Sequence, residues 1–472
     1  GTPLVLTAGQ QDRRMRLREP VLSHDLVAMA APLTKWSVEA ASADELPLIM
    51  HRAFKTAREA PSGPVFVSLP INITSEATET EVMRPTVMHT GTRPDADGLA
   101  AAGAMLARSE SPVIICGDGV DKAGAVPALV ELAERLGAPV YWEVLPARVN
   151  FPNRHPQYRG RMVSDQAAIR RRLRDHDVVL MVGGRFFEEV WFMDDEPFPP
   201  GAKRIQIDDA PSQLARFYRM DCALAGDIRN TLIDLDGFLA RQLSAQFQND
   251  ANERRAGMAA DQAKAKAAFE AQAASQGSNQ PMSTASLMHS MAAALPPRTQ
   301  VASEAITGGL DLIAALDFKD GQDYLSSRGG GIGQGLPSVI GMKLANPDRP
   351  ALCVSGDGSA MYTIQTLWTA AHHGIPVVNL ILNNGTYRIL KLNMNRFRKV
   401  ADIAPDRGYT HLDINEPPID FVSVAQGMGL RACRVTSPAE VGPAIANAFA
   451  SGEPWLIEAV VFLDAFLNFL GD

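Results

Sequence analysis

The stretch from Ala351 to Tyr387 constrains the fold more than any other part of the chain. Ala351 to Val354 is a short apolar run of the kind a buried strand carries, and Gly356-Asp357-Gly358 breaks it. Met361, Ile364, Leu367, Trp368 and Ala371 then recur on one face at helical spacing, with Gly374 as a helix stop. Val377 to Leu382 is a second buried strand, ending on Asn383-Asn384-Gly385. Strand, helix and strand form one βαβ unit. It brings Asp357 and Asn384 to the carboxyl ends of two strands in the same sheet.

That placement has a chemical consequence. A carboxylate and an amide oxygen are two hard ligands, too few to cage a metal ion. Mg2+ tolerates such a set, because it keeps one or two protein carboxylates and fills the other positions with phosphate oxygens and water. Gly356 and Gly358 let a diphosphate approach the backbone, and a helix beginning near Ser359 points its free N–H groups at it. The unit therefore predicts a Mg2+–diphosphate site. A bare Gly-Asp-Gly turn is common, and the chain supplies a control. Gly117-Asp118-Gly119 follows another apolar run but has Val144-Leu145 where the asparagines would stand, so it reads as an ordinary turn.

Gly356-Asp357-Gly358, twenty-four residues and then Asn383-Asn384 resembles the thiamine diphosphate signature. The surrounding text is most similar to benzoylformate decarboxylases and acetolactate synthase-like enzymes. The resemblance implies an α/β fold of three doubly wound parallel-sheet domains, and a length of 472 residues also suggests about three domains. Residues 1-73 are the C-terminal part of a pyrimidine-binding domain, truncated at its N-terminus: Thr-Ala-Gly-Gln-Gln at 7–11 and Gly-Pro-Val-Phe-Val-Ser-Leu-Pro at 63–70 resemble its second half. Thr74 to Asp95 is rich in Thr, Glu and Pro and reads as a linker. Residues 96-239 are a central α/β domain with strands near Pro112–Cys116, Pro139–Tyr141, Val178–Val182 and Arg204–Ile207. Gln242 to Thr284 reads as a surface helix plus flexible connector. Residues 285-462 are the diphosphate- and Mg-binding domain, and Leu463 to Asp472 is a short amphipathic tail.

Several further positions acquire roles only through the resemblance. Glu304, Thr307 and Gly308 become cofactor-side candidates, although a capping turn at Thr307 is the plain alternative. Gly329-Gly330-Gly331-Ile332-Gly333-Gln334-Gly335 packs glycines too densely for anything but close backbone approach or positive φ, and its spacing excludes a dinucleotide fingerprint. Gly330 is placed beside the cofactor, and Ile332 where a large aliphatic residue props it into a bent form that makes proton removal intramolecular. The carbonyl of Thr386 is the implied third Mg2+ ligand, beside Asp357 and Asn384. Tyr387 should cover the diphosphate, and Ile389 and Leu390 should face the substrate. Pyruvate decarboxylases carry an acidic residue where Leu390 stands, so an apolar one argues for a bulky or aromatic acyl group, or for carboligation.

Other features read blandly. Phe186, Phe187, Trp191 and Phe192 with Glu188 and Glu189 form either a domain-packing loop or a lid, and Val190 stands where benzoylformate decarboxylases place a substrate-reaching histidine. His24 and His51 suit surface or cap roles, His155 beside prolines is a loop-packing residue, and Arg396, Arg398 and Lys399 read as a solvated face. No flavin is expected, because the central domain shows no diphosphate turn beyond Gly117-Asp118-Gly119. The glutamate that activates the cofactor is expected upstream of Gly1; Glu19, Asp25 and Glu39 lie in the wrong context, and the catalytic residue is left unassigned.

A net charge of −8 gives no reason to expect nucleic acid or membrane as partner, and four scattered cysteines give no metal or disulfide spacing, which together suit a cytoplasmic enzyme. The leading expectation is a thiamine diphosphate- and Mg2+-dependent decarboxylase of a benzoylformate-like 2-oxo acid. The alternatives are an acetolactate synthase-type carboligase and a non-catalytic thiamine diphosphate-binding paralogue. The resemblance implies self-association as a homodimer or homotetramer.

Overall fold

The computed structural model describes residues 1–188, 192–404 and 408–462, the side chain of Val400 excepted. Apolar runs bounded by turns give strands, amphipathic stretches between them give helices, and among the described residues the products are three sheets whose strand pairings are parallel. Parallel sheets need helices on their faces, because each connection must cross over the sheet.

In the first sheet β1 (Val5–Gln10), β2 (Trp36–Glu39) and β3 (Val65–Pro70) lie in the order β1-β3-β2. Ile49, Ala53 and Ala57 of the helix Leu46–Arg58 pack on Val65 and Val67. Trp36 opens β2. Residues 77–95 carry neither helix nor strand.

The second sheet comprises β4 (Pro112–Cys116), β5 (Val140–Trp142), β6 (Tyr158–Arg161), β7 (Val178–Val182), β8 (Lys203–Asp208) and β9 (Cys222–Ala225), in the order β6-β5-β4-β7-β8-β9. Every residue of β4 and β7 is buried, as in a strand covered on both faces. The third sheet contains β10 (Met282–Ser283), β11 (Gln300–Glu304), β12 (Tyr324–Ser326), β13 (Ala351–Gly356), β14 (Val378–Asn383), β15 (Arg431–Val435) and β16 (Trp455–Phe462). Its main order is β10-β16-β14-β13-β11-β12, with β15 also paired to β16.

The segment between the second and third sheets contains the expected surface helix and differs from expectation only where it packs inward and where its connector ends. The helix has 31 residues, Ala245–Ser275, and buries Phe247, Ala251, Met258 and Ala273, and its connector ends in β10 inside the third sheet. One buried cluster runs from Leu129 of the helix Val126–Leu136 and Trp142 of the central sheet through Ala251 to Leu380 and Ile457 of the third sheet. Among the described residues no helix is long and apolar enough to cross a membrane. The tail 463–472 and Glu189, Val190 and Trp191 of the aromatic loop lie outside the described residues.

Candidate cofactor and metal site

In the third sheet β12 lies on one side of β11 and β13 on the other, so the winding reverses between β11 and β13. Open α/β sheets present their ligand crevice at the carboxyl ends of strands at such a reversal. Asp357 follows β13 into that crevice and is 3% exposed. The register sets Gly356 opposite Leu382, which brings the turn after β14 alongside. Asp357 Oδ1 accepts from Gly358 N at 2.7 Å, while Oδ2 accepts from Asn384 N at 2.9 Å and Gly385 N at 2.7 Å. Asn384 Oδ1 accepts from Thr386 N at 2.9 Å. The two turns are therefore tied together by the Asp357 carboxylate. Asn383 is directed elsewhere: its Nδ2 donates to the buried Glu458 carboxylate at 2.7 Å.

Burial raises the Asp357 carboxyl above its ordinary value, against the downward pull of those backbone N–H groups. A carboxylate in that condition is relieved by a cation. Among the described residues no group of three or more His, Cys, Asp or Glu could hold a metal unaided. The donors on hand, a carboxylate, the Asn384 amide oxygen and the Thr386 carbonyl, are hard oxygens that suit Mg2+ when phosphate and water complete its shell. The residues present fit a Mg2+–diphosphate group.

The surrounding backbone is shaped for close approach. A Cβ on Gly358 would lie 2.5 Å from Cε1 of Tyr387, so the ring rests directly on this glycine. Ser359 is buried beside it, and a Cβ on Gly356 would meet nothing closer than Ser359 Oγ at 4.0 Å. Gly330 has φ +75° and Gly333 φ +98°, conformations that L side chains resist. Thr363 Oγ1 donates to Gly333 O at 2.8 Å and pins the glycine loop beside Asp357. The helix expected from Ser359 to Ala371 is broken into Asp357–Ala360, a 3-10 turn Met361–Thr363 and Thr366–His372. Leu367 and Ala370 are buried, but Met361 and Trp368 are exposed, and Trp368 stacks on His372 with ring centroids 4.6 Å apart.

The remaining candidates divide. Gly308 packs against Leu382, and Thr307 sits half-buried beside it at the start of the helix Gly309–Ala315. Glu304 lines the cavity beside Ile332, and its oxygens accept from Gln334 N at 2.9 Å and Gly335 N at 3.0 Å, capping the helix Gly335–Ala345. Ile332 lines a cavity between the second and third sheets. Ile389, half-buried, and Leu390, exposed, open the helix Arg388–Val400. The basic patch is not solvated as expected. Arg396 Nη2 reaches Asp165 Oδ2 at 3.0 Å, and Arg398 is buried, donating to Gly408 O at 2.9 Å. Phe186 and Phe187 are buried, and Phe187 meets Phe198 and Tyr218 edge-on, as the packing reading requires.

The central sheet has a reversal of its own, between β4 and β7, where Gly117-Asp118-Gly119 meets Gly183-Gly184. A Cβ on Gly117 would lie 2.5 Å from Gly184 Cα, so the two turns are in contact. The Glu143 carboxylate, after β5, accepts from Asp118 N at 3.1 Å and Arg185 N at 3.2 Å, taking the donors a bound phosphate would use. Arg328, immediately before the glycine loop, pairs with both Glu143 oxygens at 2.5 and 3.0 Å, with Asp118 at 2.9 Å and with Glu188 at 3.2 Å. Asp118 also accepts from Ala147 N at 3.0 Å and Asn150 Nδ2 at 3.2 Å. The motif read as an ordinary turn is the hub of a buried ionic network joining two domains. Burial keeps the Glu143 carboxyl raised even with a guanidinium on it, while Arg328, itself part-buried, is held above its usual value by the carboxylates around it.

A parallel sheet whose reversal point offers a buried carboxylate, hard oxygens and open glycines defines a diphosphate-binding α/β protein. Comparisons specify it further. Residues 308–459 match the thiamine pyrophosphate enzyme C-terminal TPP binding domain, and residues 99–235 match the thiamine pyrophosphate enzyme central domain. The chain is 32% identical over 462 residues to a benzoylformate decarboxylase of Pseudomonas aeruginosa, covering 97% of this chain and 82% of that protein. It is 26% identical over 443 residues to the acetolactate synthase isozyme 1 large subunit of Escherichia coli, covering 93% and 74%. The solved structure of a thiamine diphosphate-dependent 4-hydroxybenzoylformate decarboxylase of Rhodococcus jostii RHA1 matches with a TM-score of 0.83 at 29% identity, over 98% of this chain and 83% of that one. The chain belongs to the thiamine pyrophosphate enzyme family.

Proposed function

We propose that the chain carries out thiamine diphosphate- and Mg2+-dependent, non-oxidative decarboxylation of a benzoylformate-like 2-oxo acid to an aldehyde. The observation that carries this reading is the convergence of Asp357 on the Asn384-Gly385 turn, at 2.9 and 2.7 Å. Asp357, the Asn384 side chain and the Thr386 carbonyl would hold Mg2+. The backbone at Gly356, Gly358, Ser359, Thr307 and Gly308 would receive the diphosphate, with Tyr387 over it. Gly330 and Ile332 would support the thiazolium end. When bound, the cofactor supplies the electron sink for loss of CO2. Around it, Ile389 and Leu390 would line one side of the substrate, where an apolar setting favours loss of the charged carboxylate as neutral CO2. In the central crevice the Glu143 carboxylate already holds the donors a flavin diphosphate would need, which supports a reading without flavin.

Release of CO2 from benzoylformate, dependent on both thiamine diphosphate and Mg2+, is the expected result. Turnover confined to pyruvate with an added acceptor would instead support a carboligase, the reading favoured by the likeness to acetolactate synthase. Cofactor binding without turnover of any 2-oxo acid would support a non-catalytic paralogue. Self-association as a homodimer or homotetramer belongs to the same proposal and is read by sedimentation.

A further inference from the structure

The cavity at the carboxyl ends of β11 and β12 is lined by a cation that no carboxylate among the described residues answers. Its volume is about 150 Å³, and its walls include Arg161, Leu145, Ser303, Ser326, Ser327 and Ile332. β12 adjoins β11 and β11 adjoins β13. The cavity therefore stands one to two strand spacings, roughly 5–10 Å, from the Asp357 turn. It borders the same reversal point, on the side of Ile332.

Arg161 ends β6, an edge strand of the central sheet. Among the described residues its guanidinium has no ion pair and no hydrogen bond, in contrast to Arg328, Arg349 and Arg396, each held by a carboxylate. The groups that act on it electrostatically are the phenols of Tyr158 and Tyr324, and burial lowers its pKa from the ordinary value. Arginine nevertheless stays protonated at neutral pH. Glu304, the acidic side chain in the cavity wall, has its oxygens on Gln334 N and Gly335 N. A half-buried cation with no carboxylate beside it is costly, and a carboxylate arriving in the fork of a guanidinium makes the strong, charge-assisted kind of hydrogen bond. Three serines stand by to donate further.

We propose that Arg161 receives a second carboxylate of the substrate, so that the preferred substrate is a 2-oxo acid whose side chain itself ends in a carboxylate. The inference rests on the decarboxylase reading above and moves its preferred substrate from a benzoylformate-like acid to a dicarboxylic 2-oxo acid. The departing carboxylate is the wrong occupant. A guanidinium would hold it more tightly before the reaction than at the transition state, which slows the chemistry. A spectator carboxylate keeps its charge throughout, and Arg161 can hold it at no such cost.

The test uses the whole chain with thiamine diphosphate and Mg2+, and compares wild type with Arg161→Met and Arg161→Lys. One readout is the ratio of kcat/KM for 2-oxoglutarate over that for benzoylformate. The other is calorimetric binding of glutarate, which has two carboxylates and no keto group and so reports without turnover. Arg161→Met is expected to lower the ratio at least tenfold and to abolish glutarate binding, and Arg161→Lys to restore part of both. Equal losses on both substrates, glutarate binding unchanged in Arg161→Met, or no glutarate binding to wild type would overturn the assignment. If no 2-oxo acid is turned over yet glutarate binds through Arg161, the anion site stands and the decarboxylase reading falls.

Discussion

Arg328→Met removes the cation that Glu143 and Asp118 share. Both Glu143 oxygens are paired with it, and the Glu143 side chain is 1% exposed, so water cannot take the arginine's place. Deleting one partner of such a buried pair costs about 3–5 kcal/mol. At about 2–4 °C per kcal/mol for units of 150–250 residues, the calorimetric midpoint of the unit holding the central sheet should fall by roughly 6–20 °C. Adding Glu143→Gln removes the stranded charge, and the double variant should recover at least half of the loss. The pH dependence has a definite sign. Burial holds the Glu143 carboxyl above its ordinary value of 4.5, so ionising it costs more in the folded chain than in the unfolded one. The penalty is absent below the unfolded-state value and grows as pH rises through the folded one. Removing Arg328 raises the folded value further, so the gap between variant and wild type should narrow as pH is lowered from about 8 toward about 5. A midpoint within about 2 °C of wild type, or a double variant no more stable than Arg328→Met, would refute the network's role.

Two further perturbations follow from the geometry. Gly358→Ala puts a methyl 2.5 Å from the Tyr387 ring and should displace it, weakening thiamine diphosphate binding at least tenfold in a calorimetric titration while the thermal midpoint changes little; unchanged affinity would show that the ring has no part in the site. Burial, aided by Asp209 and Glu143, pushes the Asp208 carboxyl up to about 7 from its ordinary 3.8. Its contribution to stability is therefore fully present below the unfolded-state value and is lost as pH rises through the folded one. Asp208→Asn should raise the thermal midpoint above neutral pH and lose that advantage toward pH 4, and a gain independent of pH would contradict this.

The sequence was legible where a local pattern decides the structure. The apolar runs at Ala351–Val354 and Val377–Leu382 became adjacent strands, and the turns after them met as the βαβ unit required. The helix between them was misread, because its periodicity carries no trace of the glycine loop that Thr363 ties down. The Glu143–Arg328 pair spans 185 positions and the Arg396–Asp165 pair 231, and no local pattern announces either. A signal for the first did exist. Glu143 directly follows the apolar run Val140–Trp142, and Arg328 directly precedes the glycines, so each is a lone charge at a strand end that needs a partner. Gly117-Asp118-Gly119 lacks the asparagines and so reads as an ordinary turn, a reading blind to the buried bonds that Asp118 makes.

The central claim is that Asp357 and Asn384 meet around Mg2+ on a diphosphate. Titrating thiamine diphosphate into wild type and Asp357→Ala, with and without Mg2+, tests it directly. Wild type should bind at least tenfold more tightly when Mg2+ is present, and Asp357→Ala should bind equally weakly either way. A variant that keeps the wild-type gain from Mg2+ would contradict the assignment.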